Sequence, residues 1–287
     1  MEIITHALLH SVEDSLKILP FLFLTYLIME WIEHKTSSKA KGIIKKSGKF
    51  GPLLGGLLGI VPQCGFSAAA ASLYAGRILT LGTLIAIFLS TSDEMLPILI
   101  SEAAPISLII EILAIKLGIG VFFGFLIDFI LRKRQKEKLD TEEISHMCEH
   151  DHCHCEKGII KSSFKHTLST FLYILIITFL LNIVIEWIGE DTLAHFVTNQ
   201  PIVGPIIAGI IGLIPNCASS VILTQLFLSN VISASTMIAG LLVGSGVGLL
   251  VLFKSNHNIK ENLAITILLY VIAVVSGIVL NLIGLQL

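Results

Sequence analysis

Two short stretches put the same donor groups into otherwise apolar sequence. One reads Pro62-Gln63-Cys64-Gly65 and the other Pro215-Asn216-Cys217-Ala218. A proline inside a helical run has no N–H and releases a backbone carbonyl. Each stretch therefore combines a freed carbonyl, a side-chain amide and a thiol, a mixed oxygen and sulfur set suited to a borderline or soft cation. A single membrane cysteine is usually packing. Two of them, each two residues after a helix-breaking proline, form a candidate site. Ser67, Ser219 and Ser220 follow closely and could cap the next helices or add oxygens.

Asp93 and Glu94 sit inside the apolar run that ends near Ile100. Intramembrane carboxylates are costly enough to point to function, here as metal ligands, proton carriers or both. Lys116, one segment later, could pair with them and hold an empty site neutral. Glu111 is a weaker candidate near one interface. Glu30 and Glu186 each precede a Trp and read as interfacial, where that residue concentrates. A third feature is the polar loop containing His146, Cys148, His150, His152, Cys153, His154 and Cys155. By composition it is a metal-binding tract. No pair has zinc-finger spacing, so a flexible tract is expected rather than a folded metal site.

These groups need elements to hold them. The 287 residues are 54% hydrophobic and only 14% charged, against roughly a quarter charged in soluble domains. Runs such as 171–188 approach the length that crosses a bilayer. The composition predicts an all-α polytopic membrane protein. An offset of 153 residues carries Gly51-Pro52 onto Gly204-Pro205, Gly59 onto Gly212, Pro62 onto Pro215, Cys64 onto Cys217 and Gly124 onto Gly277. This register marks a duplication. Repeat 1 is expected over 1–131, a His/Cys-rich linker over 132–165 and repeat 2 over 166–287.

Each repeat offers four apolar segments: 15–33, 52–76, 79–100 and 105–131, then 166–188, 202–228, 231–253 and 262–285. The lysines between 35 and 49 and the basic cluster 132–138 both belong in the cytoplasm under the positive-inside bias. An even number of crossings must separate them, yet three apolar segments intervene. One of the three does not span. The proline-broken segment is the natural choice, as a re-entrant hairpin. The scheme places 17 of the 19 basic residues inside. Three spanning helices per repeat then make the repeats inverted, with about ten helices in all, both termini outside and the linker cytoplasmic. Inverted repeats place substrate near the midplane between discontinuous helices.

There is no phosphate-binding glycine loop, hydrolase triad or zincin spacing, and nothing resembles a nucleic-acid module. No enzyme activity, no nucleic-acid partner and no permanently bound cofactor are expected.

The twin Pro-Gln-Cys-Gly and Pro-Asn-Cys-Ala hairpins, the Ser-Asp-Glu helix and the His/Cys linker together resemble the ten-helix heavy-metal exporter family. Its members are labelled arsenic efflux proteins or manganese transporters. The resemblance implies a bacterial inner-membrane efflux permease. Carried over residue by residue, it points to Gln63, Cys64, Asn216 and Cys217, with Asp93 and Glu94 as acidic partners. The expected function is secondary-active export of a transition-metal cation by alternating access, coupled to protons, with the metal as transported substrate. Carboxylates and amides favour manganese or another divalent ion, and two thiolates favour zinc, cadmium, copper(I) or trivalent arsenic. An arsenite or organoarsenical permease is the alternative within transport, and a membrane-embedded metal sensor that moves nothing is the alternative outside it. The expected surroundings are lipid and the metal ion. Glycine-rich surfaces could pack helices within one chain or between the two chains of a homodimer.

Overall fold

The computed structural model describes residues 50–61, 64–92, 94–138, 159–188 and 200–285, with scattered helical positions between 11 and 27. Side-chain detail stops at 131 in the long helix of repeat 1 and at 183 in the helix after the linker. The regular elements described are helices throughout: α1 (Gly51–Gly59), α2 (Cys64–Ala75), α3 (Leu81–Ser90), α4 (Met95–Ser101), α5 (Ile106–Lys138), α6 (Ile159–Ile188), α7 (Val203–Gly212), α8 (Cys217–Leu228), α9 (Ala234–Val243), α10 (Gly248–Ser255) and α11 (Ile259–Leu282). The stretches Leu81–Ser101, Ile106–Leu131, Ser163–Ile183, Ala234–Ser255 and Ile259–Leu282 are long and apolar enough to cross a membrane. Outward-facing Phe122, Phe129, Ile130, Ile267 and Leu282 present the apolar exterior that a lipid solvent requires.

The duplication is visible in the helix bounds. Shifted by 153 residues, α2 falls on α8 and α3 on α9, and α4, α5 begin where α10, α11 begin. The starts of α3 and α9 are built alike: the Thr80 hydroxyl accepts from the Thr83 amide, and that of Ser233 from the Thr236 amide. Asp128 reinforces the first, accepting from Thr80 Oγ1 at 2.7 Å and Gly82 N at 2.9 Å. A carboxylate at a helix start complements the backbone dipole.

Two packing systems follow. Within each repeat the first, third and fifth helices pack together, as α1, α3 and α5 or α7, α9 and α11. Between repeats the short helices exchange partners: α2 lies along α10, and α8 against α4. Each hairpin thus finds an important neighbour in the other half of the chain.

The course of α1 and α2 follows from what glycine permits. A Cβ on Gly51 would meet Thr83, one on Gly55 would meet Ile87, and one on Gly59 would meet Ser90. So α1 runs parallel to α3. Helices of 9 and 12 residues rise about 14 and 18 Å. Were α2 a continuation of α1, its end would lie about 32 Å beyond the start of α3. The link from Ala75 to Leu81 reaches about 22 Å at most. The segment therefore folds back on itself between Gly59 and Cys64.

Gly212 shows how tight the counterpart is. A Cβ there would stand 2.2 Å from the Gly240 carbonyl oxygen, which is backbone and cannot swing away. Gly212→Ala should cost about 1–3 kcal/mol of stability, read as a lowered Tm. Gly118→Ala in α5, where nothing lies within 4 Å, should be neutral or gain about 0.5–1 kcal/mol.

Candidate functional site

The proline-broken tips bring the two cysteines together. Cys64 opens α2 and Cys217 opens α8, and their Sγ atoms are 3.8 Å apart across 153 residues of sequence. Both side chains are half-buried thiols. Asn216 holds the second tip in place. Its Oδ1 accepts from the Ala218 amide at 3.3 Å, capping α8. Its Nδ2 donates to Asn182 Oδ1 on α6, and Asn182 Nδ2 donates to Ser11 Oγ at 2.8 Å. A buried amide on one tip is thereby tied to the helix after the linker and to the N-terminal segment.

The serine hydroxyls, which could cap the short helices or add oxygens to a site, donate to backbone carbonyls. Ser67 Oγ donates to the Cys64 carbonyl at 2.8 Å, Ser220 Oγ to the Cys217 carbonyl at 2.8 Å, and Ser219 Oγ to the Asn216 carbonyl at 2.9 Å. In α8 the capping position belongs to Asn216, so Ser219 and Ser220, three and four residues further on, turn back onto carbonyls of the preceding turn. Ser67 instead marks a junction. A Cβ on Gly248, the first residue of α10, would meet Ser67 Cβ at 2.9 Å and Phe88 Cε1 at 2.9 Å. The tip of the first hairpin thus abuts the point where α9 gives way to α10.

Lys116 projects from α5 with 1% of its surface exposed. Its Nζ donates to the Thr91 carbonyl at 2.5 Å and to the Leu241 carbonyl at 3.0 Å. Thr91 ends α3, and Leu241 lies in the last turn of α9. One ammonium thus bridges the ends of the corresponding helices of both repeats. Glu94 stands half-buried at the start of α4, with no side-chain cap bond. Glu111 is not gathered in: it is exposed, and at 3.6 residues per turn it lies about 140° around α5 from Lys116. Half-buried Pro215 sits at the second tip. Gln63, Asp93, Pro62 and the tract from His146 to Cys155 lie outside the described residues. Among the described residues, no three of His, Cys, Asp and Glu cluster as a metal set.

Asn182 is the group that the sequence reading passed over. Its signal was present, a single amide within the apolar run Phe179-Leu180-Leu181-Asn182-Ile183-Val184-Ile185. A second link joins the repeats at one end of the fold. Arg77 Nη1 and Nη2 donate to Glu261 Oε1 and Oε2 at 2.9 and 3.1 Å, and the Tyr74 hydroxyl donates to Oε1 at 2.5 Å. It fastens the end of α2 to the start of α11.

The family described as "Putative, 10TM heavy-metal exporter" matches residues 4–187, which hold the first hairpin, the linker and nearly all of α6. No curated protein and no solved structure matches the chain.

Two outcomes test this geometry. Mild oxidation of the purified protein should join Cys64 to Cys217, seen by peptide mapping as one crosslinked pair and absent in Cys64→Ser; persistent thiols at both positions would contradict the contact. Asn182→Leu strands the buried amide of Asn216 and should cost about 1–3 kcal/mol. Asn216→Ala should cost about 0.5–2 kcal/mol as a lost cap, and the double variant should cost less than the sum when Tm values are compared.

Proposed function

The chain belongs to this ten-helix heavy-metal exporter family, and from that premise we propose that it exports a divalent transition-metal ion bound between Cys64 and Cys217. The observation that carries the proposal is the 3.8 Å separation of the two sulfurs. With metal–sulfur bonds of about 2.3 Å, that separation subtends about 111° at the ion, close to tetrahedral. A linear two-coordinate ion at the same bond length would want the sulfurs about 4.6 Å apart. Thiol ligands shift the choice from manganese toward zinc or cadmium. The amide oxygens of Gln63 and Asn216, with Asp93 or Glu94, are the proposed remaining ligands, and the carboxylates the proposed carriers of exchanged protons. The His/Cys tract from 146 to 155 is the proposed cytoplasmic capture element.

The transport cycle we propose is alternating access between inverted repeats in the inner membrane, with the hairpins re-entering from opposite faces. The positions along α11 support inversion. The first hairpin leaves beside Glu261, where Arg77 binds, and α3 begins directly after it. The start of α9 instead lies beside Gly277, whose Cβ would meet Ala239 and the Ser235 carbonyl. Glu261 and Gly277 are separated along the helix by about 24 Å, most of a bilayer core. The α3 and α9 segments thus set out from opposite ends of one spanning helix. Each hairpin tip, half-way in, would be exposed first to one side and then to the other as the repeats rock.

Inside-out vesicles loaded with a metal-sensitive dye test the reading. Zinc or cadmium should accumulate with wild-type protein. Cys64→Ser and Cys217→Ser should each lower apparent affinity at least as far as the ten- to hundred-fold that losing a second-shell partner costs. Manganese flux insensitive to both substitutions would move the ion onto oxygen ligands. Flux confined to arsenite or an organoarsenical would select the metalloid permease, and no flux for any of them would leave a sensor or scaffold.

A further inference from the structure

We propose that the Lys116 ammonium is a built-in cation, filling a position between the two broken helices that would otherwise take a small monovalent ion from solution. The argument begins with backbone polarity. The last carbonyls of a helix have no partner within it, and together they carry partial negative charge. Both α3 and α9 stop within the apolar interior, and the carbonyls of Thr91 and Leu241 are aimed at one point, where Lys116 Nζ sits 2.5 and 3.0 Å away. Unwound carbonyls and half-helix C-termini of this kind are what hold soluble coupling cations in transporters with broken helices.

The charge is a local addition to the repeated framework. Shifted by 153 residues, Lys116 falls on Leu269, which is itself fully buried. The duplicated fold therefore provides two converging carbonyl ends and only one of its halves provides the ammonium. The break after α9 also carries Ser245, whose buried hydroxyl has no hydrogen-bond partner. That is a further oxygen within the same unwound stretch. A buried ammonium is tolerated only when it is paired and hydrogen-bonded, and its tether removes the need to recruit an ion. Sodium should then have no part in the cycle. Only this last statement rests on the exporter reading; occupancy of the position by the tethered ammonium does not.

Purified Lys116→Ala and Lys116→Gln proteins, melted in sodium, potassium, ammonium or choline chloride at fixed ionic strength, provide the test. In choline both variants should melt several degrees below wild type. At least one small cation should restore part of the difference, saturably, while wild type melts at the same temperature in all four salts. Variants that keep their helical circular dichroism and a single gel-filtration peak, yet melt identically in all four, overturn the proposal. So does a wild-type Tm raised specifically by sodium, a measurement that decides the matter alone if neither variant folds. In vesicles, metal flux should be equal in sodium and in choline, and flux that requires sodium also overturns it. Absence of flux for every metal would sink the exporter reading while leaving the melting result in force.

Discussion

Backbone groups freed by a helix break within a bilayer have no water to turn to, and this constraint organises the molecule. Non-helical backbone at membrane depth persists only where protein or a polar cavity satisfies it. The described breaks include 60–61, 91–92, 213–216 and 244–247. Asn216 and Ser219 answer the freed groups at 213–216, the Thr91 and Ser92 hydroxyls those at 91–92, and Lys116 spans the ends of α3 and α9. The thiols share a tip region with groups already committed to structure. The two sulfurs are the soft, adaptable donors there, which suits a metal better than a polar organic molecule.

Symmetry and its violations divide the labour. What repeats is scaffold: the helix bounds, the starts of α3 and α9, the glycines at close contacts and the exchange of short helices between halves. What does not repeat is charge. Lys116 answers to Leu269, Arg77 to Asn230 and Glu261 to Leu108. The backbone conformation at the Arg77 position is still duplicated, since Arg77 and Asn230 both adopt φ of 57°. The clamp of Arg77 on Glu261 therefore fastens one end of the fold, and the matching positions, Asn230 and Leu108, carry no charge.

Much of this was legible in the sequence, because the 153-residue register is carried by glycine, proline and cysteine. These residues mark close contacts, breaks and thiols with little ambiguity. The approach of Cys64 to Cys217 is a geometric consequence of two tips meeting. Asn182 escaped notice because a lone amide in an apolar run looks like tolerated packing until its partner is known. Which role the serines take was open in the sequence because capping depends on which residue holds the non-helical position, and in α8 that is Asn216. Lys116 was recognised as an anomaly, but its ties to carbonyls of two helices 150 residues apart have no sequence signature at all.

The exchange of short helices has a consequence for biogenesis. At about 5–20 residues per second of synthesis, α10 emerges roughly ten to thirty seconds after the α2 helix it must lie against. Throughout that interval the nascent first hairpin holds an incomplete apolar face and an unmatched thiol beside the insertion machinery. The newborn chain must be shielded there, by lipid or by the insertase, until its second half arrives.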